Sequence, residues 1–315
     1  MVPARVQRVR RGELWMGGAG FDHVMPPFGR AVLGDWVLLH AQTQEPVRRL
    51  ERKSVLKRKA PRGGRAVQVM AANIDVLFIV SSCNQDFNLA RLERYLALAL
   101  EAGVMPVLVL TKADLCDDAA SYAADAAQLG RDLVVECIDA RDAASAAPLA
   151  AWCGPGQTVA LLGSSGTGKS VLTNTLRATG DQRTAAVRGD DAKGRHTTTE
   201  RVLLRLSGGG WLADMPGLRE LQLFDAAEGI AAAFADVEAL AARCSFRDCN
   251  HDSEPGCAVT AAVAAGTLPV RRLENFRKLR TEDAHNREGI AERRGRERGF
   301  SKMVRDIDKT HGKRG

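Results

Sequence analysis

A chain of 315 residues with 45% hydrophobic content can bury two or three cores, which excludes a disordered protein. No apolar run approaches the ~20 residues that cross a bilayer, and the basic start 1–11 has no apolar stretch behind it. Both points argue against a membrane protein or a secretory leader and for a cytoplasmic one. The net charge of +7 is partitioned: residues 1–70 carry +9 (14 Lys/Arg against 5 Asp/Glu), residues 71–270 carry −9 (16 against 25) and residues 271–315 carry +7 (15 against 8). Two basic ends around an acidic centre point to contact with nucleic acid, the alternative being solvated basic tails.

Residues 1–65 read as short strands broken by Gly and Pro, with β-formers in 4–9, 31–33 and 35–39 and a turn at Gly34-Asp35. A small β-barrel with interleaved Arg and Lys fits, and the OB-fold is the commonest such nucleic-acid module. The stretch Arg58 to Arg65 reads as a linker. From Ala71 the pattern becomes α/β. Strands are expected at 74–80, 104–110, 133–138, 158–162, 202–206 and 211–213, and a helix at 89–102 with Leu89, Leu92, Leu96 and Leu100 on one face. Alternation of this kind implies a mostly parallel sheet covered by helices. Beyond Leu221 the chain reads as helical, at 226–242, 258–265 and 271–280, followed by a charged, apolar-poor end after about Glu282.

Gly163-Ser164-Ser165-Gly166-Thr167-Gly168-Lys169-Ser170, continued by Val171, lies between a predicted strand and a predicted helix, the context a phosphate loop requires. Its glycines let backbone N–H groups turn toward phosphate oxygens at a helix N-terminus. Lys169 is placed to reach the β- and γ-phosphates, and Ser170 to hold Mg²⁺. Asp214-Met215-Pro216-Gly217 ends a later strand. There Asp214 suits Mg²⁺ through water, and the Gly217 N–H suits a γ-phosphate. Thr111-Lys112-Ala113-Asp114 ends an earlier strand, and a carboxylate at Asp114 can accept both N1–H and N2–H of guanine, which adenine cannot offer. The stem of Lys112 can cover the base. Between phosphate loop and Asp214, Gly194 to Thr199 has the composition of a switch loop, with Thr198 as a Mg²⁺ ligand. Leu218 stands where many GTPases carry a water-orienting glutamine. His196 is the candidate within the chain for that role, against the plainer reading of an exposed loop histidine.

The guanine reader lies about fifty residues before the phosphate loop, the reverse of the ordinary order, so the arrangement is that of a circularly permuted GTPase. Seven cysteines, an odd number, argue against a complete disulfide framework. Cys83, Cys116, Cys137 and Cys153 sit in or beside apolar runs. Cys244, Cys249, His251 and Cys257 form a closed Cys₃His set in a polar stretch, with the chemistry of a structural Zn²⁺ site.

The segments Ala72 to Asp75 and Phe87 to Leu96, the guanine reader, the phosphate loop, Gly194 to Thr198, Asp214 to Gly217 and the cysteine cluster with Glu254-Pro255-Gly256 resemble, in order and over nearly the whole chain, the RsgA (YjeQ/YloQ) family of circularly permuted GTPases. The resemblance implies an N-terminal OB-fold (1–65), a permuted GTPase domain (66–222) and a helical zinc domain with a basic tail (223–315). It also implies GTP hydrolysis with Mg²⁺, stimulated by the small ribosomal subunit, with the flanking domains gripping rRNA. A monomer is expected. Leu218 matches a family trait. Thr111 in place of the Asn of many GTPases, Asp139 where a small hydroxyl residue is expected, and a compact N-terminal domain depart from the pattern; beside Asp139, Ala140 can still offer its backbone N–H to guanine. A non-enzymatic RNA-binding factor that holds guanine nucleotide with little turnover is the alternative. A P-loop ATPase or kinase leaves Thr111 to Asp114 unexplained.

Overall fold

The computed structural model describes residues 1–10, 12–18, 21–59, 67–177, 200–215, 223 and 225–287. Strands β1 (Val2–Arg10), β2 (Glu13–Gly18), β3 (Phe21–Met25), β4 (Trp36–Leu39) and β5 (Pro46–Arg49) form an antiparallel array in which β1 pairs with both β2 and β4. Alternation sends Ala4, Val6, Leu14, Met16, Val37 and Leu39 into one small core. The segment 31–33, expected as a strand, makes a single bridge from Leu33 to Ala71. The expected linker is in part a hairpin: Arg58 and Lys59 end β6 (Val55–Lys59), which pairs with β7 (Val67–Ala72).

β8 (Val76–Ser82), α1 (Leu89–Glu101), β9 (Met105–Thr111), α2 (Ala119–Ala127), β10 (Val134–Cys137), β11 (Thr158–Leu162), α3 (Lys169–Arg177), β12 (Arg201–Arg205) and β13 (Trp211–Asp214) follow. The order β10-β9-β8-β11-β13 is parallel throughout, as the βα alternation predicts, and every residue of β8 is buried. β12 is antiparallel to β13 and, on its other side, to β1, so one sheet of eleven strands runs from the N-terminal array into the parallel layer. A buried arginine sits at this junction. Arg5 donates from Nη2 to the Asn73 carbonyl (3.1 Å) and to Thr158 Oγ1 (2.8 Å), and Asp75 Oδ2 accepts the Thr158 N–H (2.8 Å). The guanidinium is thereby satisfied where water does not reach.

α1 starts on Asn88, whose Oδ1 accepts the Arg91 N–H (2.9 Å). It buries Leu92, Leu96 and Ala99 in the core and meets α4 (Ala227–Ala233) on its other side. The two backbones touch there: a Cβ on Gly229 would lie 2.2 Å from the Ala97 carbonyl oxygen. The helix expected at 226–242 is two, α4 and α5 (Ala235–Ala241), broken at Phe234 (φ −116°, ψ 38°). The Phe234 ring packs against Phe276 at 5.4 Å and under the Arg272 guanidinium at 4.6 Å, contacts that fix it off the helical path. α6 (Ala258–Ala264) and a helix α7 (270–287) complete the described chain. α7 outruns the expected 271–280 because its far end is anchored: the buried Asp283 accepts the Ala226 N–H (2.9 Å). α7 docks on α1 through charge. Glu93, fully buried, accepts from Arg271 and Arg272 (both 2.9 Å) and from Asn275, and Arg272 also bridges Asp236 (2.7 Å).

Candidate guanine-nucleotide site and metal cluster

The parallel strands all end at one edge of the sheet, with Ser82 level with Thr111 and Cys137 level with Leu110. Ligands of parallel α/β sheets bind at that edge. Here it gathers residues separated by a hundred positions: Thr111 and Asp114 after β9, Asp139 to Arg141 after β10, the phosphate loop after β11, and Asp214 at the end of β13.

The phosphate loop leaves β11 hard against β8. A Cβ on Gly163 would stand 2.1 Å from the Val80 carbonyl oxygen, so only glycine fits. Gly166 and Gly168 take φ of +80° and +86°, the left-handed region, which curls the loop before α3 begins at Lys169. Thr167, buried, donates from Oγ1 to the Ser164 carbonyl (3.0 Å). The Lys169 ammonium donates to the same carbonyl and to Thr167 Oγ1 (3.3 Å), which holds its charge inside the curl of the loop.

Thr111 is fully buried, and its Oγ1 lies 2.7 Å from the Thr167 carbonyl and 3.1 Å from that of Ser81. One hydroxyl proton thus ties the end of β9 to the 163–170 loop. The departure from asparagine at this position keeps a brace between the two loops. Lys112 then turns through the left-handed region (φ 59°) and starts the short 3₁₀ turn Ala113–Leu115 that carries Asp114. Ala140 is held by Thr175 of α3, whose Oγ1 donates to the Ala140 carbonyl (2.6 Å).

Asp139 is not left bare. Its carboxylate takes Arg141 in a fork, Nε to Oδ1 and Nη2 to Oδ2 (both 3.1 Å), and accepts the Arg141 backbone N–H as well (2.9 Å). Hydrogen bonds from the Arg141 side chain and backbone hold the Asp139 carboxyl below the usual carboxylate range. Arg141 Nη2 also reaches Asp114 Oδ2 at 2.6 Å. Arg141, Ser145 (whose Oγ accepts the Asp139 N–H, 2.9 Å) and Thr175 escape sequence reasoning. The one local signal was an acid followed two residues later by an arginine.

Of the expected site residues, Thr111, Lys112, Asp114, Ala140, the run Gly163 to Val171 and Asp214 come to this edge. His196, Thr198 and Gly217, with Leu218, lie outside the described residues.

Some distance along the chain, Cys244, Cys249, His251 and Cys257 converge, their ligand atoms all within 4.8 Å of one another. Cys244 and Cys257 Sγ are 3.8 Å apart, and each lies 3.6 Å from His251 Nδ1. A tetrahedron with metal–sulfur bonds of about 2.3 Å and metal–nitrogen bonds of about 2.0 Å has edges of about that length. The donor set fits a four-coordinate thiophilic cation. Cys257 caps α6 and accepts the Thr260 N–H (3.5 Å). Burial pushes this thiol up, but the Thr260 hydroxyl and N–H, with His251 and Cys249, outweigh it and bring it down to about 6, toward the thiolate a metal needs. The loop between the ligands is shaped by Glu254, whose carboxylate accepts the N–H groups of Asn250 and Asp252 (both 2.8 Å) and Ser253 (3.2 Å).

The RsgA GTPase family model matches residues 49–224. The chain is 52% identical over 294 residues to the small ribosomal subunit biogenesis GTPase RsgA of Mesorhizobium japonicum, spanning 91% of this chain and 85% of that one. It is 51% identical over 300 residues to the small ribosomal subunit biogenesis GTPase RsgA 2 of Vibrio parahaemolyticus, spanning 95% and 84%. Among solved structures it is similar to YjeQ from Thermotoga maritima (TM-score 0.66, 22% identity, 88% of this chain and 96% of that one). It is also similar to YloQ, a circularly permuted GTPase (0.65, 23%, 91% and 96%). These two likenesses speak for the fold, and the motif order and the identities above speak for the kinship. The chain belongs to the RsgA GTPase family.

Proposed function

We propose that this chain hydrolyses GTP as a late assembly factor of the small ribosomal subunit, binding the subunit with GTP and leaving it after hydrolysis. The observation that carries the reading is the hydrogen bond from Thr111 to the Thr167 carbonyl, which sets a guanine-reading carboxylate and a phosphate loop side by side at one sheet edge in permuted chain order. The names of the relatives support the ribosomal role.

Asp114 reads guanine N1–H and N2–H, Lys112 covers the base, and the Ala140 N–H meets its carbonyl side. The backbone of Gly163 to Val171 cradles the phosphates, and Lys169 neutralises charge that develops on them. The residues fit Mg²⁺: Ser170 and Asp214, with Thr198, would hold it, and it would neutralise the β- and γ-phosphate oxygens. Leu218 has no donor for the attacking water. His196 orients that water once the subunit's rRNA completes the catalytic geometry, and Gly217 contacts the γ-phosphate. Residues 1–65 form an OB-fold and 223–315 a zinc domain with a basic tail. The two basic ends grip rRNA on either side of the GTPase domain 66–222. Zn²⁺ in the Cys₃His set is structural, since its four ligands leave no open position. The protein works as a monomer in the cytoplasm.

A switch of this kind requires different subunit affinities in the two nucleotide states. Sedimentation of the protein with isolated small subunits tests it. More protein should pellet with a non-hydrolysable GTP analogue than with GDP, and equal pelleting in both states contradicts the proposal.

A further inference from the structure

The guanidinium of Arg141 stands between two carboxylates that sequence reading treats separately: Asp139, which it holds in a two-bonded fork, and Asp114, which it meets through the other proton of Nη2 at 2.6 Å. The arrangement contributes little to folding. The Arg141 side chain is 65% exposed, and exposed ion pairs add little to stability. What a forked arginine supplies is direction, because its donors lie in one rigid plane. Guanine asks for direction. N1–H and N2–H are parallel donors, and they are read well only when both Asp114 oxygens lie in the plane of the base.

We infer that Arg141 is a positioning residue for guanine recognition: Asp139 fixes Arg141, and Arg141 fixes the rotation of the Asp114 carboxylate so that it is set for the base before nucleotide arrives. The inference rests on Asp114 being the guanine acceptor. Arg141 and guanine can share that carboxylate. Each oxygen accepts two hydrogen bonds, Arg141 occupies one position on Oδ2, and three positions remain for two guanine donors. The loop that carries Arg141 is fixed on both sides. Ser145 Oγ accepts the Asp139 N–H, and Thr175 of α3 holds the Ala140 carbonyl. Asp139, unusual where a small hydroxyl residue is expected, is thus the anchor of the arrangement. A carboxylate at 139 without Arg141 would only add negative charge beside Asp114. Arg141 acts through Asp114, so its effect falls on choice of base.

The test compares affinities of GDP and inosine diphosphate, which lacks the N2 amino group, for the full chain and for Arg141→Gln, Asp139→Ala, the double variant and Asp114→Ala. The expected result is a GDP-to-inosine-diphosphate preference reduced about tenfold in each single variant, the size of one directed hydrogen bond to a charged group. The double variant should lose no more than either single one, because the two act as a unit. Unfolding midpoints should stay at the wild-type value. If Asp114→Ala abolishes the preference while Arg141→Gln keeps it, the inference is wrong and the guanine reader stands. If Asp114→Ala keeps the preference, the guanine-reader assignment itself fails. Tighter GDP binding by Arg141→Gln would mean that the arginine competes with the base, which also overturns the inference.

Discussion

Thr111 is the point where a single hydroxyl joins the turn that carries Asp114 to the 163–170 loop, and Thr111→Val isolates it. Valine nearly matches threonine in shape, so the change removes the hydrogen bond and leaves little cavity. The fully buried Oγ1 lies 2.7 Å from the Thr167 carbonyl and 3.1 Å from the Ser81 carbonyl. A buried acceptor deprived of its donor costs about 1–3 kcal/mol. Part of that appears as lost stability, read by urea unfolding. The rest appears in nucleotide binding, because the phosphate loop and the guanine reader no longer arrive in a fixed relation. A loss of about 1–2 kcal/mol of preorganisation weakens GDP binding roughly 5–30-fold, read by calorimetric titration. Thr111→Ser keeps the hydroxyl and should stay within about twofold of the wild type. Wild-type stability and wild-type GDP affinity in Thr111→Val would refute the brace.

Three further outcomes follow from particular contacts. Gly163→Ala sets a methyl group 2.1 Å from the Val80 carbonyl oxygen, so the phosphate loop must shift and GDP binding should be lost while the far-ultraviolet spectrum stays native. Glu93→Ala removes the fully buried carboxylate that Arg271, Arg272 and Asn275 share, leaving the buried Arg272 with Asp236 and the Ala233 and Leu129 carbonyls but without its buried counter-charge; a destabilisation of about 3 kcal/mol in urea unfolding is expected. Cys249→Ser removes one of four converging ligands, and elemental analysis should find near-stoichiometric zinc in the wild type and little in the variant.

The curl of the 163–170 loop was legible in the sequence. Its glycines stand where the structure needs them, Gly163 against the Val80 carbonyl and Gly166 and Gly168 in the left-handed region. The parallel strands were legible too, because runs such as 76–80 are buried on both faces and uniformly apolar. Strands β2, β3 and β5 were not: they carry glycine, histidine or paired arginines, and they exist because β1, β2 and β4 respectively offer edges to pair with. The break at Phe234 escaped for a related reason. Nothing in the alanine-rich stretch around it disfavours a continuous helix, and the ring is pulled aside by Phe276 and Arg272, about forty residues away. The contact of Arg141 with Asp114 joins residues 27 positions apart across two loops, beyond any local pattern.

GTP hydrolysis by the purified chain, measured with and without isolated small ribosomal subunits, bears most directly on the central claim. Slow turnover alone and strong stimulation by the subunit is the predicted result, since Leu218 leaves the attacking water without an orienting group until the partner completes the site. Equally slow turnover in both conditions would contradict it.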